Sequence, residues 1–207
     1  METAACVSVV DDDALVLRSL GRLLRSAGFT VRTFPSPQEF LAQGGGDPGC
    51  VVIDLSLPGS SGLQVQQALA RSGDTRPVVF ISGRGDVPSS VAAMKAGAVD
   101  FLVKPFDEAE LLAAVGTAVR RDRAARATRD EQSALRRRLA ALTPREREVF
   151  DRVVAGKLNK QIAAELGTSE KTVKVHRARM MRKMGADSLA GLVRAWTAIP
   201  PTSAAAP

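Results

Sequence analysis

The sequence is poor in the residues that cross-link or metallate small domains. It has two cysteines, Cys6 and Cys50, and one histidine, His176. Two cysteines cannot build a disulfide framework or a cysteine-rich zinc site, and one histidine rules out a multi-histidine metal centre. Both cysteines lie in apolar, strand-like runs and are expected to be reduced core residues. Long hydrophobic runs are also missing, since none approaches the ~20 residues of a membrane span. The opening METAACVSVVDDD lacks the basic start and apolar run of a secretion signal. A cytoplasmic chain without a membrane partner is the expectation.

What is present is charge, unevenly spread. The 207 residues suffice for one large domain or two small ones, and 45% hydrophobic with 25% charged residues is ordinary for a globular chain. The net charge of +7 conceals a split. Residues 1–119 hold 9 Lys+Arg against 13 Asp+Glu, whereas residues 120–207 hold 20 against 9. An acidic half joined to a basic half predicts two domains, the second facing a polyanion.

In the first half, short β-branched runs alternate with helical patterns. The runs are Val7–Val10, Thr30–Phe34, Cys50–Ile53, Val78–Ile81 and Val99–Val103. Between them lie 14–27, 37–43, 62–71 and 87–96, and a fifth helix starts near Asp107. Leu17, Leu20, Leu23 and Leu24 give the first helix an apolar stripe, with Asp13 placed to cap its start. Five such units predict an open, doubly wound parallel α/β sheet, flavodoxin-like in the order 2-1-3-4-5.

That order gathers polar residues at one sheet edge. Asp11 and Asp12 close the first strand, Asp54 the third, Ser82 the fourth and Lys104 the fifth. Neighbouring first and third strands put the carboxylates at the switch point where such sheets bind ligands. Three crowded carboxylates repel one another and invite a hard cation such as Mg²⁺, which takes one or two carboxylates, waters and a phosphate oxygen. Lys104 and the Ser82 hydroxyl can bind further phosphoryl oxygens, so the set suits phosphoryl transfer to a carboxylate. Singly, each residue has a plainer reading: helix cap for Asp12 or Asp13, turn residue for Asp54 and Ser82, solvated lysine for Lys104. Together at four strand ends they read as one site.

VVDDD, VVIDLSLPGSSG, VVFISGRGD and FLVKPF resemble the signatures of the response-regulator receiver domain, CheY-like in fold. The resemblance covers about residues 5–120. It implies that Asp54 accepts a phosphoryl group from a sensor histidine kinase. It also implies Mg²⁺ held by Asp12, Asp54 and the Ser56 backbone carbonyl, with Asp11 assisting. Further implications are phosphoryl contacts from Ser82 and Lys104, a cis Lys104–Pro105 bond, and Phe101 as a rotating switch aromatic. Ser56 and Arg84 fall at the family's variable positions that tune phosphoryl lifetime.

Residues 117–143 contain no glycine or proline, and the arginine-rich stretch reads as the fifth receiver helix followed by a helical or partly frayed connector with a solvated face. The alternating signs at Asp122, Asp130 and Glu131 fit that reading. Beyond it, helix punctuation is dense. Thr143-Pro144-Arg145-Glu146 is a capping box with proline at the first helical position. Asn159 can cap a second helix over 160–166, Ser169 a third over 170–184, and Asp187 or Ser188 a fourth. Gly167-Thr168-Ser169 is the short turn of a helix-turn-helix. On the third helix, Val173, Met180 and Met184 should face inward. Lys171, Val175, Ala178 and Arg182, flanked by Lys174 and Arg179, face out. Small apolar residues among cations suit a DNA major groove, where thymine methyls need apolar partners.

LTPREREVF and NKQIAAELGTSEKTVKVHRARMMRKM resemble the LuxR/GerE-type helix-turn-helix over about residues 138–197. With the receiver motifs, the whole resembles a NarL/FixJ-type response regulator. That implies base contacts from Lys174, Val175 and Ala178 on double-stranded DNA, and phosphate contacts near Asn159, Lys160, Thr172 and Arg179. It also implies a homodimer on phosphorylation through Val91, Lys95 and Asp100, with RNA polymerase as a further partner. His176 reads as a packed or phosphate-bonding residue, and Leu192 and Trp196 as core or dimer surface. The expected layout is a receiver at 1–120, a helical linker at 121–137, an all-α four-helix DNA-binding domain at 138–199 and a disordered tail at 200–207. A phosphohydrolase with Asp54 as nucleophile is the competing class. It lacks a general acid two residues on, where Ser56 stands, and leaves the helix-turn-helix unexplained.

Overall fold

The computed structural model describes residues 5–43, 45–83 and 87–197. Arg84 and the 200–207 tail lie outside the described residues. The chain divides into two compact units, Met1–Arg126 and Ala127–Pro207.

The first unit alternates strand and helix: β1 (Cys6–Val10), α1 (Ala14–Ser26), β2 (Thr30–Phe34), α2 (Pro37–Gln43) and β3 (Gly49–Asp54). A small antiparallel pair, β4 (Ser56–Leu57) and β5 (Ser60–Ser61), precedes α3 (Gly62–Ser72), β6 (Val78–Ser82), α4 (Val87–Lys95) and β7 (Asp100–Val103). The sheet has the order β2-β1-β3-β6-β7, and every pairing is parallel. This is the doubly wound order expected. β1, β3 and β6 are buried at every residue, which is why they read as unbroken apolar runs rather than alternating ones. Leu17, Leu20 and Leu24 of α1 pack one face of the sheet with Leu111 and Val115 of α5 (Glu108–Ala140). Phe40, Val65, Leu69 and Ala93, from α2, α3 and α4, pack the other.

Helix α5 runs from Glu108 to Ala140 without interruption. The solvated-face reading of its middle is corrected at Asp122, which is only 2% exposed. One carboxylate oxygen, Oδ2, accepts from the Gly49 amide at 2.8 Å and from Arg126 Nε at 2.7 Å. Arg126 also reaches the Asp47 carbonyl. A sequence of alternating signs cannot distinguish a solvated aspartate from one that reaches a strand 73 residues away.

The second unit comprises α6 (Pro144–Val154), α7 (Asn159–Leu166), α8 (Glu170–Met184) and α9 (Leu189–Thr197). The end of α5 joins their core, because Leu135 and Leu139 pack with Phe150, Ile162, Val173, Met180 and Leu192. Trp196 stands edge-on to Phe150 at 5.3 Å, and Leu192 is fully buried. The predicted capping box forms: Thr143 Oγ1 accepts from Glu146 N while the Glu146 carboxylate accepts from Thr143 N. Ser188 rather than Asp187 starts α9, its hydroxyl accepting from Gly191 N at 3.1 Å. Asn159 is not the cap of α7. Leu158 takes that position, its N–H donating to Gln161 Oε1 at 2.8 Å, and Asn159 is the first helical residue.

Gly49 sits where β3 begins, with φ +150. A Cβ there would lie 1.9 Å from the Cys6 carbonyl oxygen, inside the β1–β3 ladder. Gly49→Ala should therefore destabilise the first unit by more than about 3 kcal/mol. Urea unfolding of the full chain checks this, with the first unit's transition moving while the second unit's stays in place.

Candidate functional site

The carboxyl ends of β1, β3, β6 and β7 meet at one edge of the sheet because the register aligns Val10 with Ile53, Asp54 with Ile81, and Ser82 with Val103. Asp11 follows β1 and Lys104 follows β7. The Lys104 ammonium donates to Asp11 Oδ2 at 2.8 Å and to Asp54 Oδ2 at 2.6 Å. The remaining oxygens are also held. Asp54 Oδ1 accepts from Ser56 N, and Asp11 Oδ1 from Asp13 N, both at 2.8 Å. Lys104 N donates to the Ser82 carbonyl at 2.7 Å, continuing the ladder, and the Lys104–Pro105 bond is cis.

Charge and burial are in tension here. Asp11 is buried and Asp54 nearly so. Burial pushes the Asp11 carboxyl above its ordinary pKa, against the Lys104 and Asp13 hydrogen bonds that pull it down. Burial also pulls the Lys104 ammonium down, but its bonds and charges with Asp11 and Asp54 outweigh this and leave its pKa raised. One ammonium between two carboxylates leaves the pocket one positive charge short of neutral.

Asp12 is not drawn into this bridge. Its side chain is exposed, and Asp13 caps α1 by accepting from Leu15 N at 2.7 Å. Among the described residues no three Asp, Glu, His or Cys side chains converge as a ready-made metal site. Asp11 and Asp54 fit Mg²⁺ as hard oxygen donors, because that ion takes one or two carboxylates and completes its shell with water. Ser56 contributes its amide to Asp54 and is itself exposed. Ser82 is buried at the end of β6. Phe101 is half-buried, its ring 6.5 Å from that of Phe80. Gly62 lets α3 start beside the site, since a Cβ there would meet the Asp54 carbonyl oxygen at 2.6 Å and the Phe80 ring at 2.8 Å. On α4, Val91 and Lys95 are exposed, as is the neighbouring Met94, while Asp100 is half-buried and accepts from Phe101 N.

The second unit presents α8. Val173, Met180 and Met184 are buried, whereas Lys171, Thr172, Lys174, Val175, Ala178, Arg179 and Arg182 are exposed. The carboxylates of this unit are largely committed elsewhere. Glu165 meets Arg152 and Lys157, Glu148 meets Arg145, and Asp151 meets Arg147. Among the described residues no carboxylate pairs with Lys171, Lys174, Arg179 or Arg182, so that face keeps its full positive charge. Lys160 is exposed at the start of α7, beside Asn159, whose Oδ1 accepts from Arg177 Nη1 at 2.8 Å. The sequence offered no signal for Arg177 beyond its place next to His176.

The comparisons with known proteins agree in both halves. Residues 7–116 match the response regulator receiver domain, and residues 140–196 match the bacterial regulatory proteins of the luxR family. Nodulation protein W of Bradyrhizobium diazoefficiens is 48% identical over 93% of this chain and 85% of its own length. Transcriptional regulatory protein FixJ of the same species is 43% identical over 94% of this chain and 95% of its own. The solved structure of response regulator StyR superposes with a TM-score of 0.86 at 44% identity, covering 95% of this chain and all of that one.

Glu146 anchors the exposed helix from below. Its carboxylate is held down to about 2, first by the hydrogen bond from Lys183 on α8 and then by the Thr143 N–H. The folded pKa lies below the unfolded value, so this contact stabilises fully above the ordinary carboxylate range and is lost as pH falls toward 2. Glu146→Gln should flatten the acid limb of the second unit's stability between about pH 5 and pH 2. Thermal unfolding followed by circular dichroism across that range checks it.

Proposed function

Because this chain belongs to the response regulators that join a receiver domain to a LuxR-type DNA-binding domain, transcription regulators rather than enzymes, we propose that Asp54 is its phosphoacceptor and that the phosphoryl state governs dimerisation and sequence-specific DNA binding. The observation that carries this reading is the Lys104 bridge, which holds Asp54 at the switch point beside a second buried carboxylate. A receiver domain implies a sensor histidine kinase as partner. An Asp54 oxygen attacks the phosphorus of a phosphohistidine, the phosphorus–nitrogen bond breaks, the imidazole leaves with the bonding electrons, and an acyl phosphate forms. Lys104 and the Ser82 hydroxyl then bind the transferred oxygens by charge-assisted hydrogen bonds.

Receiver domains bind Mg²⁺ at this acidic pocket. Here Asp11 and Asp54, with Asp12 and the Ser56 carbonyl, would hold it. When bound, it offsets the negative charge that gathers during transfer.

Double-stranded DNA is the partner of the second unit. Lys174, Val175 and Ala178 face base edges, while Asn159, Lys160, Lys171, Thr172, Arg179 and Arg182 meet phosphates. Incubation of the chain with a small acyl-phosphate donor and Mg²⁺ should add one base-labile phosphoryl group, absent in Asp54→Asn. Persistent single-site labelling of that variant would sink the assignment.

Dimerisation follows from the same site. Binding of phosphoryl oxygens by Ser82 opens space into which Phe101 turns, altering the surface of α4 and β7. Val91, Lys95 and Asp100 lie on that surface, along with the exposed apolar side chains of Met94 and Val103. Two such surfaces pair, bringing two DNA-binding units to adjacent half-sites and to RNA polymerase. In sedimentation, the chain should be mostly monomeric without phosphodonor and dimeric with it. Lys95→Glu should weaken the dimer and leave phosphorylation intact. A fully phosphorylated chain that stays monomeric overturns this route.

A further inference from the structure

We propose that Arg177 is a positioning residue for DNA binding, holding Asn159 so that its amide NH₂ group, rather than its oxygen, faces outward at the amino end of α7. The inference rests on the reading that this end of α7 meets backbone phosphate.

Asn159 is the first residue of α7, flanked by exposed Lys160. Arg177 lies on α8, between the buried Val173 and Met180, and reaches back to α7 to donate to Asn159 Oδ1 at 2.8 Å. A guanidinium carries five N–H donors and no acceptor, so it can meet a carboxamide only at the oxygen. The NH₂ group must then occupy the other branch of the amide plane, where it offers two donors. Phosphate oxygens are acceptors only. An amide held this way is ready for one, whereas an amide free to turn would present its oxygen much of the time and repel it. Arg177 thus removes the wrong half of the Asn159 orientations before DNA arrives.

The charge on Arg177 supports the same conclusion. Other half-buried or buried arginines among the described residues are neutralised: Arg32 by Asp47, Arg76 by Asp74, Arg126 by Asp122, Arg147 by Asp151 and Arg152 by Glu165. Arg177 is half-buried too, yet among the described residues its side-chain partner is a neutral amide, with no carboxylate in ion-pair range. A partly desolvated cation with a neutral partner raises the positive potential at the start of α7. There it adds to Lys160 and to the positive end of the helix dipole.

The test is a double-mutant cycle on the full chain, read by fluorescence anisotropy with duplex DNA carrying the preferred sequence and with random duplex, across a salt series. Asn159→Ala and Arg177→Met should each weaken both duplexes by roughly tenfold, the loss of one hydrogen bond to a charged group. The double variant should be no weaker than Arg177→Met alone. Asn159→Asp should be weaker than Asn159→Ala, because its carboxylate keeps the bond to Arg177 but turns the second oxygen toward phosphate. Arg177→Lys, still a donor without an acceptor, should restore most of the affinity. Thermal unfolding of each variant verifies that the second unit is folded.

Additive losses in the double variant would overturn the positioning role. So would a log K against log[salt] slope that drops by about one unit in Arg177→Met, since that marks a direct phosphate contact by Arg177 itself. Lys174→Ala and Arg179→Ala serve as controls for the underlying reading. If both bind DNA as the unaltered chain does, the α8 face is misassigned and the inference falls with it. If both bind weakly while Asn159→Asp binds normally, the DNA face stands and only the positioning role fails.

Discussion

The first unit depends on a single ammonium. Lys104 sits between Asp11 and Asp54, two buried carboxylates that parallel pairing forces to the same edge of the sheet. Removing one partner of such a buried arrangement leaves an uncompensated charge, a loss of about 3–5 kcal/mol in comparable sites. The bridge is also incomplete by one positive charge. It is therefore stable enough to fix the geometry and still electron-rich enough to act as a nucleophile. In the proposed acyl phosphate, the Asp54 side chain gains oxygens and negative charge, so Lys104 acquires a stronger partner without moving to a new site. The sheet makes this economical, since each group arrives from a different strand end and needs only the β1–β3–β6–β7 register to be placed.

Most of this was legible in the sequence because the signals are local or periodic. Unbroken runs such as CVSVV and VVFIS mark strands covered on both faces. Asp13, Thr143 and Ser169 start helices by accepting backbone N–H groups two or three residues on, chemistry that acts within one turn. The edge cluster followed from topology once the strand order was taken as 2-1-3-4-5. Asp12 shows where this reasoning stops. Asp13 is the helix cap expected of it. Asp11 and Asp12 read alike, yet Asp11 is turned inward to accept the Asp13 N–H, which leaves Asp12 outward. Only the path of the backbone between β1 and α1 distinguishes them.

The contacts that sequence could not reveal share one property, a long separation along the chain between polar partners. Asp122 belongs to an arginine-rich helix and looks solvated, but it accepts from Gly49 on a distant strand. That strand end has no room for any side chain of its own. Arg138 donates to the Met184 carbonyl at the end of α8 at 3.0 Å. With Leu135 and Leu139 packed in the same core, this makes the last turns of α5 part of the second unit's fabric. Asn159 looked like a helix cap because asparagine usually is one. It lost that position to Leu158 because Gln161 supplies the cap bond from inside the helix, freeing the Asn159 amide for Arg177.

The second unit resolves its excess of positive charge by sorting it. Among the described residues, the ion pairs shown for this unit lie on or between α6 and α7 or tie α6 to α8, through Glu165, Glu148, Asp151 and Glu146. The basic residues spent in those pairs are Arg145, Arg147, Arg152, Lys157 and Lys183. Of the basic residues outside those pairs, Lys171, Lys174, Arg179 and Arg182 lie together on the exposed side of one helix, with Val175 and Ala178 among them. A surface optimised for solubility would intersperse the signs. Segregation of this kind costs stability through self-repulsion and is relieved only when a polyanion covers the face. The same logic fits the apolar residues: among these cations, exposed Val175 and Ala178 are the uncharged surface that the proposed groove contact needs for a thymine methyl. In the proposed reading, α8 carries the base-edge contacts and most of the phosphate contacts, and Asn159 and Lys160 of α7 add to the latter.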